Sequence, residues 1–285
     1  MTHNNLLAIV FALASALTIA WGTVARHQIT EQTTSGPEDG GGVPILAAVT
    51  RPLWWAGVFC ALFGYVLQIV ALGFGTLLVV QPILVLSLMF TLPLSARFDG
   101  RRVSTPEMTW AGLLTVAVGV VVVMGRPLPG LSQPPVHIWL IALVVGAVVL
   151  SAVVASSRRR FRSEKALLLG TVTGAIMGYV AVLSKSVVDI FVSGGLGGLV
   201  AAWEFYGLVA MAVLGTVVQQ SSFNAGALKN SLPAMTITEP LVAFTLGYFV
   251  LGESFQVRGA QWIAMAAALA VMIVSTVVLS RKGVD

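Results

Sequence analysis

The chain has 285 residues, of which 57% are hydrophobic and 9% charged, and its mean hydropathy is +0.94. Soluble domains carry roughly 25% charged residues, so this composition excludes a protein that covers a water-facing surface. The formal charge of +5 does not indicate a nucleic-acid partner, because the basic residues cluster at the ends of apolar runs on one side of a membrane.

A membrane-crossing helix needs about 20 mostly apolar residues and satisfies its own backbone polar groups. Nine runs fit: 5–25, 53–73, 76–94, 108–124, 136–156, 166–187, 203–222, 232–252 and 259–279. The first contains ALASA, which resembles a signal-peptide cleavage region, but its leader MTHNN lacks basic residues, so it reads as a mature helix. The stretch 27–42, with EQTTSGPEDGGG, reads as a flexible loop. Cys60, the only cysteine, lies in the second run, which rules out disulfides within the chain and cysteine-based metal sites.

Farther along, GGLGG at 194–198 separates the sixth and seventh runs, lacks a following lysine and reads as a hinge or turn. His3, His27 and His137 are scattered near run ends, and neither HExxH nor GxSxG occurs. The expectation is a non-enzyme that needs no cofactor.

Alternate assignment of the connecting segments puts Arg26, Arg51, Arg97, Arg101, Arg102, Arg158, Arg159, Arg160, Arg162, Lys165, Lys229, Arg281 and Lys282 on one side, and Arg126, Lys185 and Arg258 on the other. By the positive-inside rule the rich side is cytoplasmic, giving an external N-terminus and a cytoplasmic C-terminus in a bacterial inner membrane. The run Arg158-Arg159-Arg160-Phe161-Arg162 reads as an anchor of this topology, with docking to anionic lipid as the alternative.

The nine runs contain an internal repeat. At an offset of 158, Ala12, Ala16 and Ala20 align with Gly170, Gly174 and Gly178, and Gln81-Pro82 aligns with Glu239-Pro240. At 151, Gly64, Gln68 and Gly75 align with Gly215, Gln219 and Gly226, and at 152 Trp110 aligns with Trp262. Runs 1 to 4 therefore correspond to runs 6 to 9, and the unpaired fifth run inverts the second unit. The expected fold is an all-α integral membrane protein of nine spans in an inverted 4 + 1 + 4 repeat: residues 1–125, a linking helix and basic loop at 126–165, and residues 166–285. The small-residue stripes on runs 1 and 6 allow close helix approach, either as static packing or as a moving seam; that of Ala147, Ser151 and Ala155 on run 5 reads as packing alone.

Ionisable groups at membrane depth cost several kcal/mol and are functional candidates by default. Glu239 stands out, followed by Pro240, which frees the carbonyl of Thr236 one turn earlier. Such a pair suits a cation, a proton or a substrate amine, and Glu239 is the metal ligand if there is one. The competing reading satisfies Glu239 structurally through Gln68, Gln219, Gln220 or Asn224. Gln68 and Gln219 join helices or bind solute, Gln220 and Asn224 extend their cluster, and Gln81 is the neutral counterpart of Glu239. Lys185 snorkels toward headgroups, or serves as a counter-charge to Glu239 or to a substrate anion. Glu204 and Glu253, near run ends, are expected to face water. Pro82, Pro233 and Pro240 are candidate helix breaks.

The chain resembles the drug/metabolite transporter superfamily, and within it the NIPA magnesium-transporter family and its bacterial relatives. The likeness rests on RPLWWAG at 51–57, QIVALGFGTLLVVQP at 68–82, QQSSFNAGALKNSLPAMTITEP at 219–240 and LGE at 251–253. It implies nine spans and a transport role, with magnesium for some members. The four-helix unit is also similar to small multidrug resistance proteins, which pair two antiparallel copies, but those rely on a glutamate in their first helix, and runs 1 and 6 here carry no acid.

The leading expectation is a secondary transporter moving a small solute between the halves along Glu239, Gln68, Gln219 and Gln81. A magnesium or divalent-cation route is one alternative, since magnesium keeps several waters and accepts one or two carboxylates. Another is a lipid-carrier flippase or an accessory subunit of an envelope-building complex. The expected partners are a small solute or cation and the bilayer, with homodimerisation open.

Overall fold

The computed structural model describes residues 4–34, 52–98, 100, 102–157, 160–225 and 228–282. Among them ten helices follow in order: α1 (Asn5–Thr34), α2 (Pro52–Phe74), α3 (Leu77–Val85), α4 (Ser87–Phe98), α5 (Thr105–Gly125), α6 (Val136–Ser157), α7 (Arg162–Ala201), α8 (Trp203–Ala225), α9 (Leu228–Phe249) and α10 (Gln261–Lys282). Among the described residues seven segments are long and apolar enough to cross a membrane: Asn5–Ala25, Trp55–Phe74, Leu77–Arg97, Thr105–Gly125, Val136–Ser157, Glu164–Ala201 and Gln261–Ser280. The protein is a multi-pass α-helical membrane protein. The seventh and eighth expected runs form α8 and α9, helices of 23 and 22 residues that lie outside that apolar set.

Several local expectations change. The first helix continues to Thr34, past the point where 27–42 reads as loop, because ITEQTT offers neither glycine nor proline to stop it; residues 35–42 lie outside the described set. The third run divides at Leu86, four residues after Pro82, into α3 and α4. By contrast, α9 runs unbroken through Pro233 and Pro240. The glycine-rich 194–198 segment is not an open loop: α7 continues through it and breaks its helical geometry only at Gly195, at φ +61°.

The start of α5 is fixed by a reciprocal cap. Ser104 N donates to Glu107 Oε2 at 2.7 Å and Glu107 N to Ser104 Oγ at 3.4 Å, with Pro106 in the first turn. Beyond it, Pro127–Leu128 (β1) pairs antiparallel with Ser254–Phe255 (β2), a short ribbon that ties the end of α5 to the segment after α9.

Small residues set the helix seams. Ala8, Ala12, Ala16 and Ala20 are all buried on one face of α1, which packs against α2, α3 and α4. On α7, which packs against α8 and α9, a Cβ at Gly170 or Gly174 would stand 2.6 Å from the carbonyl oxygen of Ser231 or Met235, and one at Gly178 2.8 Å from Val242 Cβ. Only glycine admits α9 this close. Gly64 on α2 approaches Ile19 of α1, and Gly215 on α8 approaches Met177 of α7, in the same manner. On α6, in contrast, Ala147, Ser151 and Ala155 are exposed, so that stripe forms no seam within this chain.

Candidate functional site

A cavity of about 170 Å³ lies between α2, α7, α8 and α9. Its walls are Tyr65, Gln68 and Ile69 from α2, Met177, Val180, Ala181 and Ser184 from α7, Gln219 from α8 and Glu239 from α9. Gln68, Ser184, Gln219 and Glu239 are the polar members of this wall, one from each of the four helices, and the remaining residues are apolar or aromatic. Three of the sequence candidates thus share one space: Glu239, Gln68 and Gln219.

Polar capacity in this cavity is largely unspent. Ser184 Oγ donates to Val180 O at 2.8 Å, leaving its lone pairs available, and Gln219 Nε2 reaches only Met235 Sδ at 3.9 Å. Among the described residues Glu239 and Gln68 have no hydrogen-bond partner, and no cationic side chain pairs with Glu239. A half-buried carboxylate with two amides and a hydroxyl around it presents acceptors, which suits a ligand with N–H groups, a positive charge or both.

The other candidates stand elsewhere. Gln81 is buried within α3, is not part of the cavity wall, and its Nε2 has no partner. Pro82 shares that buried position on α3, and Pro233 is buried near the start of α9. Pro240 lines a separate, much smaller space with Val85, Thr236 and Met272. Gln220 points outward and is exposed, while the side chain of Asn224 lies outside the described set.

Lys185 neither snorkels nor faces Glu239. It is buried, and its Nζ donates to Leu72 O at 2.8 Å and to Asp189 Oδ1 at 2.8 Å. Burial among helix ends leaves a lysine no route to headgroups, so it takes the last-turn carbonyl of α2 and the carboxylate one turn along α7.

Glu253 also departs from expectation. It is 1% exposed and accepts hydrogen bonds from Leu77 N at 2.9 Å through Oε1 and Leu78 N at 3.0 Å through Oε2. It caps α3 across 176 residues of sequence, while the hydroxyl of Thr76, which occupies the cap position, has no partner. Burial raises its carboxyl to about 7, against the pull of the two N–H groups and of Lys185. Glu204 is likewise buried, in the first turn of α8, where the positive end of the helix favours a carboxylate.

A short turn at Gly75-Thr76 connects α2 to α3, and Gly75 leaves no room for a Cβ beside Ala8. Lys185 fixes the helix before this turn and Glu253 the helix after it. Asp189 and Glu253 are the residues that sequence reasoning missed. The i, i+4 spacing of Lys185 and Asp189 was the available signal for the first; nothing local marks the second.

The apolar spans and the cavity walled by α2, α7, α8 and α9, with a carboxylate that has no partner among the described residues, define a multi-pass membrane protein with an internal polar cavity. The chain is 60% identical over 281 residues to the uncharacterized protein Cgl0250/cg0304 of Corynebacterium glutamicum, covering 98% of this chain and 96% of that one. It belongs to the family of that protein. No family model matches the chain, and no solved structure matches it.

Proposed function

We propose that the protein is a secondary transporter that carries a small solute through the cavity, with Glu239 as the charged ligand-binding group and Gln68, Gln219 and Ser184 as hydrogen-bonding partners. The observation that carries this reading is the convergence of these groups, from separate helices, on one space in the middle of apolar segments. A carboxylate left without a protein partner there is costly unless a ligand or proton supplies one.

The scaffold is an inverted repeat of 4 + 1 + 4 spans, with α3 and α4 together forming the third. Helix pairing supports it: α1 packs on α2 and the α3–α4 pair, as α7 packs on α8 and α9. Gly64 meets Ile19 while Gly215 meets Met177, and Ile19 and Met177 are themselves equivalent at the offset of 158. This is the arrangement expected of the drug/metabolite transporter superfamily and of its NIPA-like branch, and the basic residues place the N-terminus outside and the C-terminus in the cytoplasm of the inner membrane. Rocking of the halves about a central site gives alternating access.

The test is a flux screen in proteoliposomes under imposed pH and cation gradients, with magnesium as one arm, comparing wild type with Glu239→Gln. The expected result is gradient-driven uptake of at least one solute, reduced tenfold or more by Glu239→Gln. Uptake with unchanged rate and pH dependence in that variant removes Glu239 from the site, and absence of any flux removes the transport reading.

A further inference from the structure

The cavity has an open side, and the exposed residues beside it on α2 lie inside an apolar segment. Tyr65 and Ile69 both line the cavity, yet they are 57% and 45% exposed. They lie nine and five residues before the end of α2 at Phe74, inside the apolar segment Trp55–Phe74. At 1.5 Å per residue that is roughly 13 and 7 Å below the helix end, so the gap beside them opens on acyl chains rather than on water.

Helix packing explains the gap. α2 packs on α1, α3 and α7, and α8 packs chiefly on α7; among the described residues no packed seam joins α2 to α8. Gln68 from one and Gln219 from the other therefore face a space whose floor is α7 and whose acid comes from α9.

Size adds a second constraint. At about 170 Å³ the cavity falls below the roughly 300 Å³ at which sites for drug-sized ligands begin. It holds a small polar head and leaves no room for a long apolar part, which the open side can accommodate.

Resting on the reading of this cavity as the transport site, we propose that its solute is an amphiphile: a compact ammonium or amine head seated against Glu239, Gln68 and Gln219, with an alkyl tail leaving between α2 and α8 into the bilayer. The head matches the chemistry of the wall, since an acceptor-rich site with one unpaired carboxylate and no cation selects positive charge. Tyr65 and Ile69 form the apolar sill over which the tail passes.

The experiment uses the full chain in liposomes and follows saturable flux of trimethylammonium probes bearing methyl, hexyl or dodecyl chains. A second arm follows acyl-labelled phosphatidylethanolamine, whose translocation is read by dithionite protection. The expected result is that flux rises at least tenfold from the methyl to the dodecyl probe and falls at least tenfold in Glu239→Gln. In Ile69→Trp, which narrows the sill, dodecyl flux falls by a larger factor than methyl flux; an equal fall for both probes removes the tail path between α2 and α8. Translocation of the labelled lipid as well identifies a bilayer lipid as the source of the head; dodecyl flux without it identifies a free amphiphile. If chainless probes move as fast as long-chain ones with the same dependence on Glu239, the amphiphile is refuted and the transport reading stands. If no probe or solute moves, both fail.

Discussion

Removing the carboxylate that caps α3 from the opposite half of the chain tests how the bundle is held. Glu253 accepts two buried backbone hydrogen bonds at 2.9 and 3.0 Å. Bonds to a charged acceptor contribute about 1.5–3 kcal/mol each; the cost of burying the carboxylate offsets part of this, as for any ion taken out of water. In Glu253→Ala the N–H groups of Leu77 and Leu78 lose their acceptor in a dry environment, at about 1–3 kcal/mol each. The net loss should be about 2–4 kcal/mol, toward the lower end if the unpartnered hydroxyl of Thr76 turns to cap the helix. Glu253→Gln keeps one acceptor oxygen and should fall between wild type and the alanine variant. Reversible unfolding in mixed micelles gives the free energies, and hydrogen exchange at Leu77 and Leu78 gives the site-specific readout. An alanine variant within 0.5 kcal/mol of wild type, with unchanged exchange at both amides, would show that the cap does not hold α3.

The same carboxyl makes stability depend on pH. Its value in the fold, about 7, lies above its ordinary 4.5, so the fold binds this proton more tightly than the unfolded chain does; its stabilising contribution is complete below about 4.5 and is lost as pH rises through about 7. The difference corresponds to roughly 3 kcal/mol at most, and Glu253→Gln should flatten the slope of unfolding free energy between pH 5 and 8. Gln81→Leu removes a buried amide whose nitrogen has no partner, so it should be neutral or stabilising by up to about 1 kcal/mol and leave solute flux unchanged; a tenfold loss of flux would return Gln81 to the pathway. Lys185→Met leaves the Asp189 carboxylate without its ammonium and frees Leu72 O. It should cost about 3 kcal/mol, and Lys185→Met combined with Asp189→Leu should recover at least half of that loss in the same micelle assay.

How much of this was legible in the sequence depended on whether the signal was local. Hydropathy located the helices, because an apolar run at membrane depth has little choice but helix, but it missed some ends: α1 and α7 continue to Thr34 and Ala201, past runs expected to stop at 25 and 187. Gln68, Gln219 and Glu239 were legible as a group, since amides and acids inside apolar segments must turn toward one another or toward a cavity. The Gln81-Pro82 match to Glu239-Pro240 misled for a physical reason. Positions that match at one sequence offset need not face the same space, and Gln81 turns into packed protein while Glu239 faces the cavity. Glu253 follows a helix end in LGES, where a charge ordinarily meets water, and only the fold brings it to Leu77. The extension of α1 to Thr34 and the pairing of Pro127–Leu128 with Ser254–Phe255 were invisible to a reading based on apolar length alone.

Partnering separates Glu239 from the other buried acids of this bundle. Asp189 has Lys185, Glu107 has the backbone of Ser104, Glu253 has Leu77 and Leu78, and Glu204 sits at the positive end of α8. Each of these groups meets the cost of burial with a donor the chain itself provides, and each ties an element end to its surroundings. Glu239 differs because it lies in the middle of α9, where every backbone N–H is already committed to the helix, and because the walls around it offer no cation and only uncommitted amides. A proton or a ligand is the remaining source of compensation. On the proposed reading of the cavity as a transport site, a proton and a cationic head compete for Glu239, and their exchange would couple the two occupancies through one carboxyl group. Under that coupling, raising the external concentration of a transported ammonium should release protons from detergent-solubilised wild-type protein but not from Glu239→Gln, a difference that a weakly buffered pH-indicator measurement resolves.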